Sequence, residues 1–410
     1  MSTIDTNQFI KPGHVTPGIS RQQWGAFSRI VFRIFFIYFF LQVVPLDWKF
    51  YRDLFSINWL QLQYSDIFNI AHYNARFSSG PSTYADWSII FLIALAGGFV
   101  WTYIDRNKNN DYNNLYYWLR ILVRYRLAIA VIAYGFIKLF PLQAPYPSIS
   151  NLNTSYGDFT RWKLFSLSLG IVPNYESFLG TVEIITGLLL LYRRTASIGA
   201  FIIIIFTGNV FMSNLAYEGG EQVYSLYLIT LAIFVLAADI QRITSLLVLQ
   251  KPTAPNLFKP SFDKWRATRV VVKTAFISFF VVLYAFKTGL AFYNGPYQFP
   301  AANGLAGISG IYNVSEFRLN KDTLVYAPNN AIRWQDVVFE KWNTISIRSN
   351  RSVIIDSNNV EKVGAASDNR TYELEGAAGR HYYSYQADTL HHTLTLRNKN
   401  KHYSSEILVL

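Results

Sequence analysis

Between Tyr116 and Ile243 the chain holds four long apolar stretches that carry a few polar residues at membrane depth, among them Lys138, Glu183, Asn209 and Asn214. Hydrocarbon offers such groups no hydrogen-bonding partner. They are costly there, and by default they mark a functional site. This feature limits the fold more than any other, because only helices that satisfy their own backbone can span a bilayer in this way.

Composition agrees with lipid as the solvent. Of 410 residues 51% are hydrophobic and 15% charged, while Phe, Tyr and Trp make up 17%, a balance that suits neither a disordered chain nor an ordinary soluble enzyme. A span needs about 20 apolar residues. Seven stretches approach that length, at 26–44, 84–104, 116–140, 176–192, 196–216, 222–240 and 270–291.

Lys and Arg collect in alternate connections: the N-terminal tail (Lys11, Arg21, Arg29), the second loop (Arg106, Lys108, Arg120, Arg124), the Arg193–Arg194 turn, and the stretch from Arg242 through Lys251, Lys259, Lys264, Arg266 and Arg269. The positive-inside rule puts these in the cytoplasm. The chain then starts inside and ends outside, as expected of a bacterial inner-membrane protein with a periplasmic C-terminal domain. The net charge of +12 is largely this topological signal, which argues against a nucleic-acid partner. The first span follows some 25 polar residues and precedes Pro45 without a small-residue cleavage site, so it is expected to be retained as an anchor.

The chain has no cysteine, which excludes disulfides, Cys-ligated iron-sulfur clusters, covalent c-type haem and thiol catalysis. None of the six histidines (His14, His72, His381, His391, His392, His402) falls in a predicted span, so a membrane haem held by two of them is not expected. His391–His392 lies in an alternating pattern that sends adjacent side chains to opposite faces, a poor metal pair.

The divisions read as a cytoplasmic tail (1–25), two spans with an aromatic outer interfacial segment (26–113), a four-helix core (114–247), a cytoplasmic linker with the last span (248–298), and a β domain (299–410). A second outer segment, 141–175, ends in FSLSLGIVP, which can dip into the membrane only if protein buries its backbone. In the last division the runs IYNVSEFRL, IRWQDVVFE, NTISIRS, RTYELE, HYYSYQ, TLHHTLTLR and SEILVL alternate between turn residues, predicting an antiparallel sandwich or small barrel. The N-x-S/T triplets at Asn153, Asn313, Asn350 and Asn369 are what an Asn-rich chain yields by chance.

The orientation places Lys138, Glu183, Asn209, Asn214 and Tyr217 in the outer half of the bilayer, on separate helices, which suits one cavity opening outward. Tyr134 and Lys138 share a helix face, and Gly180 and Gly187 flank Glu183, where they admit a neighbouring helix. A Lys138–Glu183 pair would neutralise both charges. The competing explanation is structural: Lys138 snorkelling to headgroups, and Asn209 and Asn214 joining helices. Arg193, Arg194, Asp239 and Arg242 read as a structural cluster at the cytoplasmic ends.

These motifs, Tyr134-Gly135-Phe136-Ile137-Lys138-Leu139-Phe140-Pro141-Leu142-Gln143, Phe178-Leu179-Gly180-x-x-Glu183-x-x-x-Gly187 with Arg193-Arg194-Thr195 and Gly199, Asn209-Val210 with Asn214 and Tyr217, and Ala238-Asp239-Ile240-x-Arg242, resemble the DoxX-like membrane proteins over about a third of the chain. A more distant similarity is to the membrane domain of vitamin K-dependent carboxylase-like proteins. The resemblance implies a four-helix membrane bundle and, for some members, association with quinone-linked sulfur oxidation or membrane oxidoreductase complexes. After Tyr217 the chain departs from the family's pattern, reading Glu218-Gly219-Gly220-Glu221 where many relatives carry a lysine-containing continuation. Two functions follow as expectations. One is a redox-associated subunit, with a quinone as non-covalent ligand and Tyr134, Asn209, Glu183 and Lys138 as its contacts. The other is a non-enzymatic anchor whose β domain recruits a membrane or periplasmic protein through an open sheet edge.

Overall fold

The computed structural model describes residues 24–77, 80–108, 110–253, 266–295, 298–320, 322–327, 329–356, 363 and 370–410. Most of the tail 1–25, including Lys11, His14 and Arg21, lies outside these residues, as do Lys259 and Lys264 of the linker and Asn369.

The helical region runs α1 (Ala26–Val43), α2 (Trp48–Ser56), α3 (Tyr64–Ala71), α4 (Tyr84–Ile104), α5 (Asn113–Leu139), α6 (Ile149–Leu152), α7 (Arg161–Gly170), α8 (Pro173–Leu191), α9 (Ala196–Ala216), α10 (Gln222–Ala237) and α11 (Ile240–Leu247). After the linker come α12 (Arg266–Ile277) and α13 (Tyr284–Tyr293), joined by a π-helical stretch, Ser278–Leu283. Local chemistry sets the boundaries. The Thr83 and Asp86 side chains form a reciprocal capping box at the start of α4, and Pro173 opens α8, where the missing amide costs nothing.

The interior helix is α5. Every residue from Leu127 to Ala133 is buried, as in a helix surrounded by protein. It packs against α1, α3, α8, α10 and α13, and α5, α8, α9 and α10 form a closed ring of contacts. Close approach of α5 and α8 depends on glycine: a Cβ at Gly180 would collide with the backbone at Gly135 and Leu139, and one at Gly135 would come within 3.0 Å of the Gly180 carbonyl.

The expected seven spans are not met. Among the described residues, four helices are long and apolar enough to cross a membrane: Ala26–Ser56, Tyr84–Ile104, Ala196–Ala216 and Ala267–Tyr293. The count reaches five if Gln222–Ala237 and Ile240–Leu247, bent by 71°, form one broken span. The predicted stretch 222–240 therefore breaks near Ala238. Predicted spans 116–140 and 176–192 correspond to α5 and α8, which carry Arg120, Arg124, Arg126, Glu176 and Glu183 and bury these side chains or set them at protein contacts. α5 is interior, and α8, although exposed at Phe178, Ile185 and Leu188, turns Glu176 and Glu183 onto protein partners. The apolar outer faces of the remaining helices, such as Phe91, Leu92, Phe201 and Ile205, are compatible with lipid contact.

The aromatic segment between α1 and α4 forms helices as its periodicity predicts: α2, a short 3-10 turn at Trp59–Gln61, and α3, with Trp48, Phe55 and Leu60 exposed. FSLSLGIVP forms the end of α7, and Gly170 lies against the Ala144 and Pro145 carbonyls.

The C-terminal region is an antiparallel sheet domain. Its strands are β1 (Gly310–Asn313), β2 (Arg318–Leu319), β3 (Asp322–Thr323), β4 (Trp334–Phe339), β5 (Thr344–Ser349), β6 (His381–Asp388), β7 (Thr393–Asn398) and β8 (Ile407–Val409). Six form one open sheet in the order β1-β4-β5-β6-β7-β8, and β2 pairs with β3. The domain is not a closed barrel. One cluster of apolar residues, Val337, Ile345, Ile347, Tyr383, Tyr385 and Leu396, forms its core. Polar groups of the domain rest instead on the segment 141–175, where Ser346 of β5 donates to Ser150 Oγ at 2.7 Å and Asn151 donates to the Glu373 carbonyl at 2.8 Å. The helical region thus supplies the second layer that a sandwich would take from another sheet. One predicted strand is also a turn: RTYELE, residues 370–375, is buried beside α7.

Candidate functional site

All six residues singled out as cavity or ligand-binding candidates, Tyr134, Lys138, Glu183, Asn209, Asn214 and Tyr217, line one cavity of about 440 Å³ at the end of the bundle that bears the C-terminus of α5. Helical spacing places them there. Val131, Tyr134 and Lys138 recur at three and four on α5, and Phe206, Asn209, Val210, Ser213, Asn214 and Tyr217 form a stripe on α9. Leu179 and Glu183 come from α8, and Tyr224, Ser225 and Leu228 from α10. The walls are mixed: aromatic and aliphatic side chains share the lining with about as many polar and charged ones, among them Gln143, Ser166, Thr207, Ser213 and Gln298.

Lys138 Nζ donates to Glu183 Oε1 at 2.6 Å, and the two side chains are only 11% and 8% exposed. The ammonium also lies 5.5 Å from the centre of the Tyr134 ring. Glu183 Oε2 is buried and has no hydrogen-bond partner among the described residues. The Lys138 ammonium thus points inward, onto the Glu183 carboxylate.

The other residues divide. Asn209 is exposed on α9 while lining the cavity. Asn214 Nδ2 donates to the Val210 carbonyl at 3.0 Å, and its Oδ1 accepts from the Glu221 amide at 3.4 Å, so this side chain braces the α9–α10 turn. Tyr217 stacks on Phe165 of α7, ring centres 4.8 Å apart.

Two residues outside the predicted set complete the wall. Tyr134 Oη donates to Glu221 Oε2 at 3.5 Å, and the same oxygen is 3.5 Å from His72 Nε2. His72 packs 3.9 Å from Tyr224, ring centre to ring centre. Beyond this wall lies a second, more polar chamber of about 840 Å³, which has Asp47, Asp53, Asp66, His72 and Arg76 in its lining and shares Tyr134, Glu221 and Tyr224 with the first. The only sequence signal for Glu221 was the departure after Tyr217, and His72 had none beyond its place in the aromatic segment.

The β domain roofs the first cavity with Arg370, Thr371, Tyr372 and Glu375. Lys163 of α7 holds this roof: its buried Nζ donates to the Tyr372 carbonyl and lies 3.5 Å from the centre of that ring, while Ser166 Oγ and Tyr372 Oη are 2.7 Å apart. Burial lowers the Lys163 pKa to about 7, against the opposing pull of the Glu375 and Glu373 carboxylates.

At the other end of the bundle Asp239 accepts from Arg120 at 2.5 Å, from Ser197 Oγ at 2.6 Å and from Arg242 at 3.3 Å. Asp239 is thus paired with two arginines, Arg120 and Arg242. Arg193 lies over the Tyr117 ring, and Arg194 is exposed. Metal-ligand geometry is absent among the described residues: no group of three or more His, Cys, Asp or Glu side chains converges, and His391 pairs with Asp388 on the surface at 2.7 Å.

The arrangement offers a carboxylate, an ammonium, a phenol and an imidazole close together around two chambers, all groups that can hold or pass a proton. No family model matches the chain, and no curated protein or solved structure matches it.

Proposed function

We propose that this chain is a DoxX-like inner-membrane protein that binds a quinone-class lipophile in the cavity between α5, α8, α9 and α10 and serves as a redox-associated subunit. The observation that carries the reading is the buried Lys138–Glu183 pair set beside the Tyr134 ring in the cavity wall. A quinone carbonyl would take a hydrogen bond from Lys138 or Asn209, the ring would pack on Tyr134, and Glu183 with Lys138 would exchange protons with the head. The closed ring of four helices supports the family assignment. The alternate basic loops support a cytoplasmic N-terminus and a periplasmic sheet domain.

The anchoring alternative has one supporting observation, the edge strands β1 and β8 of an open sheet. The roof over the cavity favours ligand binding, because a domain that only recruited a partner would have no need to cover it.

Trp162 lines the cavity, so titration with decylubiquinone can be followed by tryptophan fluorescence. Saturable quenching in the parent protein that is lost in Glu183→Gln is the expected result. Equal quenching in both would contradict the reading.

A further inference from the structure

We infer that the ligand enters and leaves the cavity sideways, from the lipid, through a slot between the outer halves of α8 and α9. The inference rests on the cavity being a lipophile site in a membrane, and it adds the route.

At their inner ends α8 and α9 touch. A Cβ on Gly199 would come within 3.0 Å of the Thr186 carbonyl oxygen and within 3.2 Å of Leu189. The same face of α9 continues through Phe206, Val210 and Tyr217, at steps of seven, four and seven residues, and there it lines the cavity. The two helices therefore part towards the outside.

Exposure follows the parting. Asn209 and Tyr217 line the cavity and are both exposed, and on the facing helix Tyr175 and Phe178 are 51% and 60% exposed. From Tyr217 down to Asn209 is eight residues of helix, so the opening is about 12 Å deep at 1.5 Å per residue. A mouth that reaches that far below the end of a membrane-crossing helix faces acyl chains.

The water side is closed by comparison. Residues 370–375 cover it, Phe165 stacks on Tyr217, and Arg161 pairs with Glu218 at 2.9 Å, joining α7 to the α9–α10 turn. The occupant that fits is a single-tailed lipophile, its polar head at Lys138–Glu183 and its tail passing Asn209 into the bilayer.

The absence of cysteine gives a clean background for site-directed spin labels. In lipid nanodiscs, labels on the Asn209→Cys, Met212→Cys and Tyr156→Cys variants would be compared for collision with oxygen, which concentrates in lipid, and with a water-soluble nickel chelate. Met212 is the reference for an exposed site on α9 away from the cavity lining, and Tyr156 for an exposed site in the outer segment. The Asn209→Cys label should match the Met212→Cys label, and saturating decylubiquinone should lower its oxygen collision rate at least twofold while leaving the other two unchanged. Collision behaviour like that of the Tyr156→Cys label would overturn the lateral route. So would an unchanged Asn209→Cys label when fluorescence shows that decylubiquinone is bound. Failure of decylubiquinone to bind the parent protein would count against the quinone reading instead, and the oxygen-to-nickel ratio alone would then decide where the slot opens.

Discussion

Lys138 and Glu183 meet at 2.6 Å across the α5–α8 contact, and beside them Gly135 and Gly180 bring the two backbones together. The pair lies where the helices are least able to separate, so its charges are held in place and cannot be relieved by movement. Removing one partner leaves the other buried and uncompensated, at a cost of about 3–5 kcal/mol. Glu183→Gln should therefore lower stability as well as ligand binding. The double variant Lys138→Met, Glu183→Leu should recover most of the stability by thermal melting while remaining unable to bind ligand. Recovery of binding would mean that the pair is structural.

Gly180→Ala tests the helix contact itself. The added methyl would meet the Leu139 amide and Gly135 carbonyl, and backbone atoms yield less readily than side chains. Overpacking of this kind costs about 1–3 kcal/mol. A matching fall in unfolding free energy is the expected outcome, and a neutral substitution would show that α5 and α8 are less tightly packed.

Lys163 gives the roof a pH dependence. Below about pH 7 its ammonium is charged in the folded and unfolded protein alike, and the burial penalty is fully present. Between about 7 and its ordinary 10.5 the folded protein has lost a proton that the unfolded chain still holds, so stability rises with pH across that window. Melting temperature should climb over that interval in the parent protein and climb less in Lys163→Met. Identical slopes would rule out the lysine as the source.

Glu340 docks the sheet domain on α6. Its Oε1 accepts from the Ser150 amide at 2.7 Å and the Ser150 hydroxyl at 2.6 Å, and its Oε2 accepts from the Ile149 amide at 3.3 Å. Glu340→Ala strands these buried donors, each worth about 1–3 kcal/mol. Limited proteolysis should then cut between the helical region and the sheet domain faster than in the parent, and unchanged cleavage would count against this anchor.

How much of this was legible in the sequence depended on the range of the interactions. The cavity stripe on α9 could be read because Asn209, Asn214 and Tyr217 follow helical spacing within one segment. Lys138 and Glu183 could be paired because each is a charge with few alternatives in an apolar surround. The roof could not be read, since RTYELE alternates like a strand and becomes a turn only through Lys163, some 200 residues earlier. His72 and Glu221 escaped notice for the same reason, as their contact joins the first outer segment to the start of α10. The excess in the expected number of spans came from α5 and α8, whose charges are accommodated by protein contacts that composition alone does not reveal, and from 222–240, which bends near Ala238.

The central claim is that the cavity holds a polar-headed lipophile at Lys138–Glu183. Mass spectrometry of lipophilic molecules retained by the gently purified protein tests it most directly, comparing the parent with the Lys138→Met, Glu183→Leu variant. A near-stoichiometric quinone-class molecule in the parent and its loss from the variant is the predicted result. The same lipid complement in both proteins, or none in either, would contradict it.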